Sequence, residues 1–163
     1  MDGWLYAVVI LVVAAVIASY AIWTAGRIDR LHHRVAAARS ALDAELAARA
    51  ALVQELAGSG TLDPASSLLL VDAAHRARTA PAEDREQAES ALTRAVEATA
   101  TGAELEVWRD DLATSTRRIQ MARRFHNDVV VSTRTLRRRR LVRYLRLAGH
   151  APMPETVEMD DGS

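Results

Sequence analysis

The histidines and their acidic neighbours are where metal or acid–base chemistry would be sought first. Asp72 and His75 stand three residues apart, so a helix would place a carboxylate and an imidazole on one face. Asp29 and His32 repeat that spacing. Di-metal helix bundles need paired Glu-x-x-His motifs with further carboxylates from facing helices. No Glu-x-x-His occurs in this chain, and the pair at Asp29 lies directly beside a long uncharged segment. Both pairs read as surface residues. His126 falls on an apolar helical stripe and reads as a satisfied interior or boundary histidine. With no cysteine, disulfides, thiolate metal sites and cysteine nucleophiles are excluded. There is no Gly-rich phosphate loop, serine nucleophile elbow or zinc-binding helix motif. No catalytic residue, metal or cofactor is therefore expected.

One partial match points the other way. Arg85-Glu86-Gln87-Ala88-Glu89-Ser90 resembles the core of a Nudix box, R-E-x-x-E-E. That resemblance implies glutamates that hold a divalent metal on a diphosphate. The complete box also needs a Gly and a Glu upstream and a Gly after the helix. Val71, Ala77 and Leu92 stand at those places. A hydrolase built on Arg85, Glu86 and Glu89 is thus an alternative that lacks most of its residues.

The charge pattern is the other chemical signal. Net charge is zero, but residues 41–111 hold 14 acids against 6 arginines, while residues 134–146 hold seven arginines. Four of the seven are consecutive: Arg137, Arg138, Arg139 and Arg140. With Arg134, Arg143 and Arg146 they interleave with Leu136, Leu141, Val142, Tyr144 and Leu145, as on an amphipathic helix. Basic residues beside an anionic leaflet contribute about 1 kcal/mol each. Membrane lipid is the leading partner for this segment. A helix end neutralised by solvent or by the acidic tail is the bland alternative. Docking to a protein is a further one, and nucleic acid a rival with only one accompanying aromatic and no recognition motif.

The elements that position these residues begin with an anchor. Residues 3–26 carry no charge, and as a helix they would extend about 36 Å, against a bilayer core of about 30 Å. Trp4 and Tyr6 flank one end, and Tyr20 and Trp23 the other, as interfacial aromatics do. The only charge before the run is Asp2, unlike the basic start of a cleaved signal peptide. A membrane span over residues 4–26 is expected, after a short N-terminus at residues 1–3. Arg27, Arg30 and Arg34 follow it and no arginine precedes it, which places the C-terminal side in the cytoplasm.

Four further helices are expected over residues 28–57, 64–78, 82–100 and 103–147. In the first, Ile28, Leu31, Val35, Ala38, Leu42, Leu46, Leu52 and Leu56 recur mostly at three- and four-residue spacings. No Pro or Gly separates it from the span, so the two would form one continuous helix. Gly58-Ser59-Gly60 ends it, and Asp63-Pro64 opens the next, which should bury Leu68, Leu69, Val71 and Leu70. Thr79-Ala80-Pro81 closes that helix, and Glu83, Asp84 and Glu86 crowd the first turns of the third. The seam of the last is Leu105, Trp108, Leu112, Ile119, Ala122, Val129 and Leu136, with Ser115, His126 and Thr133 on the same stripe. Residues 148–163 read as an acidic disordered tail. The fold class is all-α: an N-terminal transmembrane helix followed by an antiparallel long-helix, four-helix bundle over residues 27–147.

Two stretches are similar to the LemA family of membrane-anchored helical proteins. Val35-Ala-Ala-Ala-Arg39-Ser40-Ala-Leu42-Asp43-Ala-Glu-Leu46-Ala-Ala-Arg49 resembles that family's V-x-x-A-W-S-x-I-D-V-Q-L-x-x-R. Arg118-Ile119-Gln-Met-Ala122-Arg123-Arg124-Phe125-His126-Asn127-Asp128-Val129-Val130 resembles R-I-x-x-A-R-x-x-Y-N-x-x-V. Arg39 replaces the Trp, Gln54-Glu55 a Pro-Asn, and His126 the Tyr, so the branch is divergent. The resemblance covers roughly residues 5–135 and implies a four-helix cytoplasmic or envelope-facing module with no established catalysis. Read as residues alone, Ser40 and Asp43 share a helix face. Antiparallel packing would bring Asp43 and Arg49 toward Arg123, Arg124 and Asn127, where a polar contact could set helix register. The function expected is a non-enzymatic membrane-tethered scaffold that binds another protein or itself.

Overall fold

The computed structural model describes residues 3–99, 106–138 and 153–157. They form four helices, with no strand among the described residues: α1 (Gly3–Gly58), α2 (Pro64–Thr79), α3 (Arg85–Thr99) and α4 (Glu106–Arg137). The all-α class is as expected, and the apolar N-terminal segment and the first bundle helix are indeed one helix. The sequence gives α1 no reason to stop before Gly58. There Ser59 N–H donates to the Leu56 carbonyl at 3.1 Å, and Gly60 takes φ +76°, a left-handed conformation suited to glycine.

α2 starts where its cap dictates. The Asp63 carboxylate accepts from the Ala65 and Ser66 amides at 2.9 and 3.1 Å, and Pro64 occupies the first turn. Hydrogen bonding from the Ser66 side chain first, then from the Ser66 and Ala65 amides, holds the Asp63 carboxyl below its ordinary pKa. α3 begins three residues later than the sequence suggests. Pro81 accepts from the Asp84 amide at 3.1 Å, so a tight turn uses residues 82–84, and Asp84 then accepts the first helical bond from Ala88. The expected start and end of the last helix, at residues 103–105 and 139–147, lie outside the described residues.

The chain divides into two compact units, and α1 and α4 contribute to both. One comprises Ala38–Asn127 with Thr156–Ser163. Within it Ala50, Val53 and Leu56 of α1 meet Leu70, Ala73, Ala74 and Ala77 of α2 and Leu92 and Ala95 of α3, with Trp108 and Leu112 of α4 packed alongside. Further along, Leu42 and Leu46 meet Ile119. Rising numbers on α1 thus pair with falling numbers on α4, the antiparallel arrangement of a four-helix bundle.

The face of α2 differs from expectation. Leu68, Leu69 and Val71 are 70%, 47% and 42% exposed, and Leu70 alone of that run is buried. The inward stripe is Leu70, Ala73, Ala74 and Ala77, the i, i+3, i+4, i+7 pattern of one helix face. Alanines there let the helix axes approach closely, and the bulkier residues point away.

The other unit comprises Met1–Ala37 with Asp128–Glu155. Ile28 and Leu136 bury each other there, with Leu31 beside them. Arg134 Nε donates to the Pro154 carbonyl at 2.6 Å. The apolar start of α1 has a mean hydropathy of 2.7 over its best window and none of that window is buried. This helix is long and apolar enough to cross a membrane. At its polar end the Tyr20 and Trp23 rings lie 6.4 Å apart, tilted by 41°, and the Arg27 guanidinium lies 5.8 Å from the Trp23 ring centre.

Candidate functional site

The densest polar arrangement lies between α1 and α3. Arg49 occupies a position among Leu42, Leu46 and Val53 on the buried side of α1, so its cation needs an internal partner. α3 supplies it. Arg49 Nη2 donates to Glu89 Oε2 at 3.1 Å, to the Glu89 carbonyl at 3.1 Å and to Thr93 Oγ1 at 3.0 Å. The two charged side chains are 11% and 3% exposed. Burial pushes the Glu89 carboxyl above its ordinary value, and the charges of Arg49 and Arg85 oppose that rise. Four residues earlier on α3 and six earlier on α1, Arg85 Nη1 bonds Asp43 Oδ1 at 3.1 Å, and Arg39 reaches the same oxygen at 3.3 Å.

These pairs resolve several residues singled out by their types. Asp43 and Arg49 do make contacts between helices, but their partners Arg85 and Glu89 come from α3 rather than from α4. Ser40 is exposed, Arg123 is half-buried and Arg124 is exposed. Asn127 instead binds Val157: its Oδ1 accepts from the Val157 amide at 2.9 Å, and its Nδ2 donates to the Val157 carbonyl at 3.1 Å. Val157 is 3% exposed, so part of the tail expected to be disordered packs on the helices, while residues 148–152 and 158–163 lie outside the described residues. Among the arginines of the basic segment, Arg137 is half-buried and Arg138 exposed; Arg139, Arg140, Arg143 and Arg146 lie outside the described residues.

The residues with apparent enzyme signatures are committed elsewhere. Arg85 and Glu89, the ends of the Nudix-like run, are the partners of Asp43 and Arg49, while Glu86 is half-buried. Asp72 pairs with Arg76 at 2.6 Å, and Asp29 lies 3.7 Å from His33 rather than meeting His32. His126 is buried at 3% exposure. Among the described residues no three acidic or histidine side chains converge as a metal site. A shallow cleft of about 200 Å³ lies between α1 and α4, lined by Glu45, Leu52, Asp111, Ser115 and Arg118. It is smaller than the roughly 300–1,000 Å³ of small-molecule pockets.

Sequence reasoning missed Arg85 and Glu89 as structural residues. The signal was present: Arg85, Glu89, Leu92 and Val96 recur at four, three and four residues, so the two charges sit on the inward stripe of α3. Comparison with the profiles of known protein families, with curated proteins and with solved structures finds no match.

Proposed function

We propose that this chain is a single-pass protein of the cell membrane whose helical domain is a non-enzymatic scaffold of the LemA type. The observation that carries this reading is the exposed apolar start of α1. Leu5, Ile10, Leu11, Val16 and Ile22 are all half or more exposed, and consecutive apolar residues face outward on every side of the helix. An all-round apolar helix needs an apolar surrounding, which a bilayer supplies. Trp23 and Arg27 at its end suit the interface, and the arginines that follow favour a cytoplasmic domain with the N-terminus outside. The two motif stretches around Ser40–Asp43–Arg49 and Arg123–Arg124–Asn127 support the LemA likeness. The buried pair Arg49–Glu89 and the half-exposed pair Asp43–Arg85 support a scaffold, because they spend charged residues on contacts between helices. Its partners would be membrane lipids and another protein or a second copy.

The absence of cysteine makes a direct test clean. Single cysteines placed at Asp2 and at Ser59 report the two sides of the membrane. The chain should resist alkaline extraction from membranes. A membrane-impermeant maleimide should label Asp2→Cys in intact cells and label Ser59→Cys only after lysis. Release into the alkaline supernatant would overturn the anchor, and the reverse labelling pattern would overturn the orientation.

A further inference from the structure

Val157 ends a described stretch, residues 153–157, that has no regular secondary structure, yet it is as buried as a core residue. Its side chain joins Leu42 and Leu46 of α1 and Ile119 of α4, with Ala122 packed alongside. Its backbone is read by one side chain, since Asn127 bonds both its N–H and its C=O at 2.9 and 3.1 Å. A carboxamide bonded to both backbone groups of a residue offers what a neighbouring strand would offer, whatever that residue's side chain. Selection then falls to the apolar hole, which fits a small β-branched aliphatic. A backbone reader beside an anchor hole is the working part of a site for extended peptides. At Val157 the grip is one apolar side chain and the two hydrogen bonds of Asn127, and upstream Arg134 Nε adds a third bond to the Pro154 carbonyl.

We propose that this groove is a peptide-docking site that the chain's own tail occupies in cis. The competing occupant is an extended, acidic segment of another protein with a valine or isoleucine at the anchor. The acidic character follows from charge: Arg123 and Arg124 precede Asn127 on α4, and the resident tail carries Glu155, Glu158, Asp160 and Asp161 around Val157. Pro154, three residues before the anchor, restricts the tail toward extended backbone. The proposal deepens the interaction-module reading and rests on it.

The test uses the full chain in lipid nanodiscs and a fluorescent synthetic peptide of residues 151–163, read by anisotropy. Val157→Asp in the chain should empty the groove. If the tail fills nine-tenths of the sites, the peptide should bind the variant on the order of tenfold more tightly than the parent chain. Adding Asn127→Leu to that variant should abolish binding, and a peptide with Asp at the anchor should not bind. Equal binding to both chains, or binding to neither, overturns the proposal. A chain ending at Pro152 provides a second empty groove. Loss of helical signal in both variants would also overturn it, because the tail would then be part of the core rather than a ligand. Membrane extraction is unaffected by any of these outcomes, so the anchor and the groove fail separately.

Discussion

Arg49 and Glu89 form a buried pair whose members depend on each other. Removing one partner of such a pair leaves an uncompensated charge and typically costs about 3–5 kcal/mol. Glu89→Ala should therefore destabilise the chain by about that amount in urea unfolding followed by circular dichroism. The double change Arg49→Leu with Glu89→Leu should recover most of the loss, since apolar replacements of a buried pair are often neutral. A double variant as unstable as Glu89→Ala would show that the pair itself, not the orphaned charge, matters. The pH dependence has a definite sign. Burial raises the Glu89 carboxyl in the folded state above its ordinary 4.5, so the folded chain holds that proton more tightly than the unfolded one. The resulting contribution is fully present below pH 4.5 and is lost as pH rises through the folded value. The stability of the parent chain minus that of Glu89→Gln should grow as pH falls from neutrality toward 4.5. A difference that grows in the opposite direction would mean the arginines outweigh burial at this site.

Among the elements, α2 and α3 pack through small residues on one side and a single large one on each. Leu70 and Leu92 are fully buried, while Ala73, Ala74 and Ala77 set how closely α2 can lie. Leu92→Ala should cost about 2–5 kcal/mol, the range for emptying a core leucine site. Ala74→Leu should cost about 1–3 kcal/mol by overpacking. By contrast, Leu68→Ser and Leu69→Ser should change stability by less than about 0.5 kcal/mol, because both positions face away from the bundle core. Thermal melting of the four variants checks the ordering. A large loss at Leu68 would place that face in contact with something beyond the described residues.

For the whole molecule, the decisive feature is the pairing of an apolar span with a basic segment late in the chain. Seven arginines between residues 134 and 146 suit an anionic membrane surface. Residues 27–163 alone should co-sediment with vesicles containing phosphatidylserine and much less with purely zwitterionic ones. Serine at positions 137–140 should remove most of that binding, as should salt at about 1 M, where the Debye length falls to about 3 Å. Binding that survives the serine changes would exclude the basic segment as a second membrane contact. Tight, salt-sensitive RNA binding by the same fragment would favour a nucleic-acid partner instead.

The all-helical class, the long apolar start of α1, its continuity and the cap at Asp63 could all be read from residue order. Each depends on local physics: hydropathy over a window, apolar spacing, the absence of Gly and Pro, or a side chain beside its own helix end. The partners of inward charges were decided only in three dimensions. Asp43 and Arg49 are recognisable as candidates for contacts between helices, yet whether α3 or α4 answers them depends on which helix face turns toward α1. The same holds for α2, where a hydrophobic run of Leu68, Leu69, Leu70 and Val71 could supply several faces and packing against alanines selected one. Val157 is the furthest case. Nothing in an acidic, proline-containing tail marks a core residue, and only the hole beside Ile119 and the amide of Asn127 make it one.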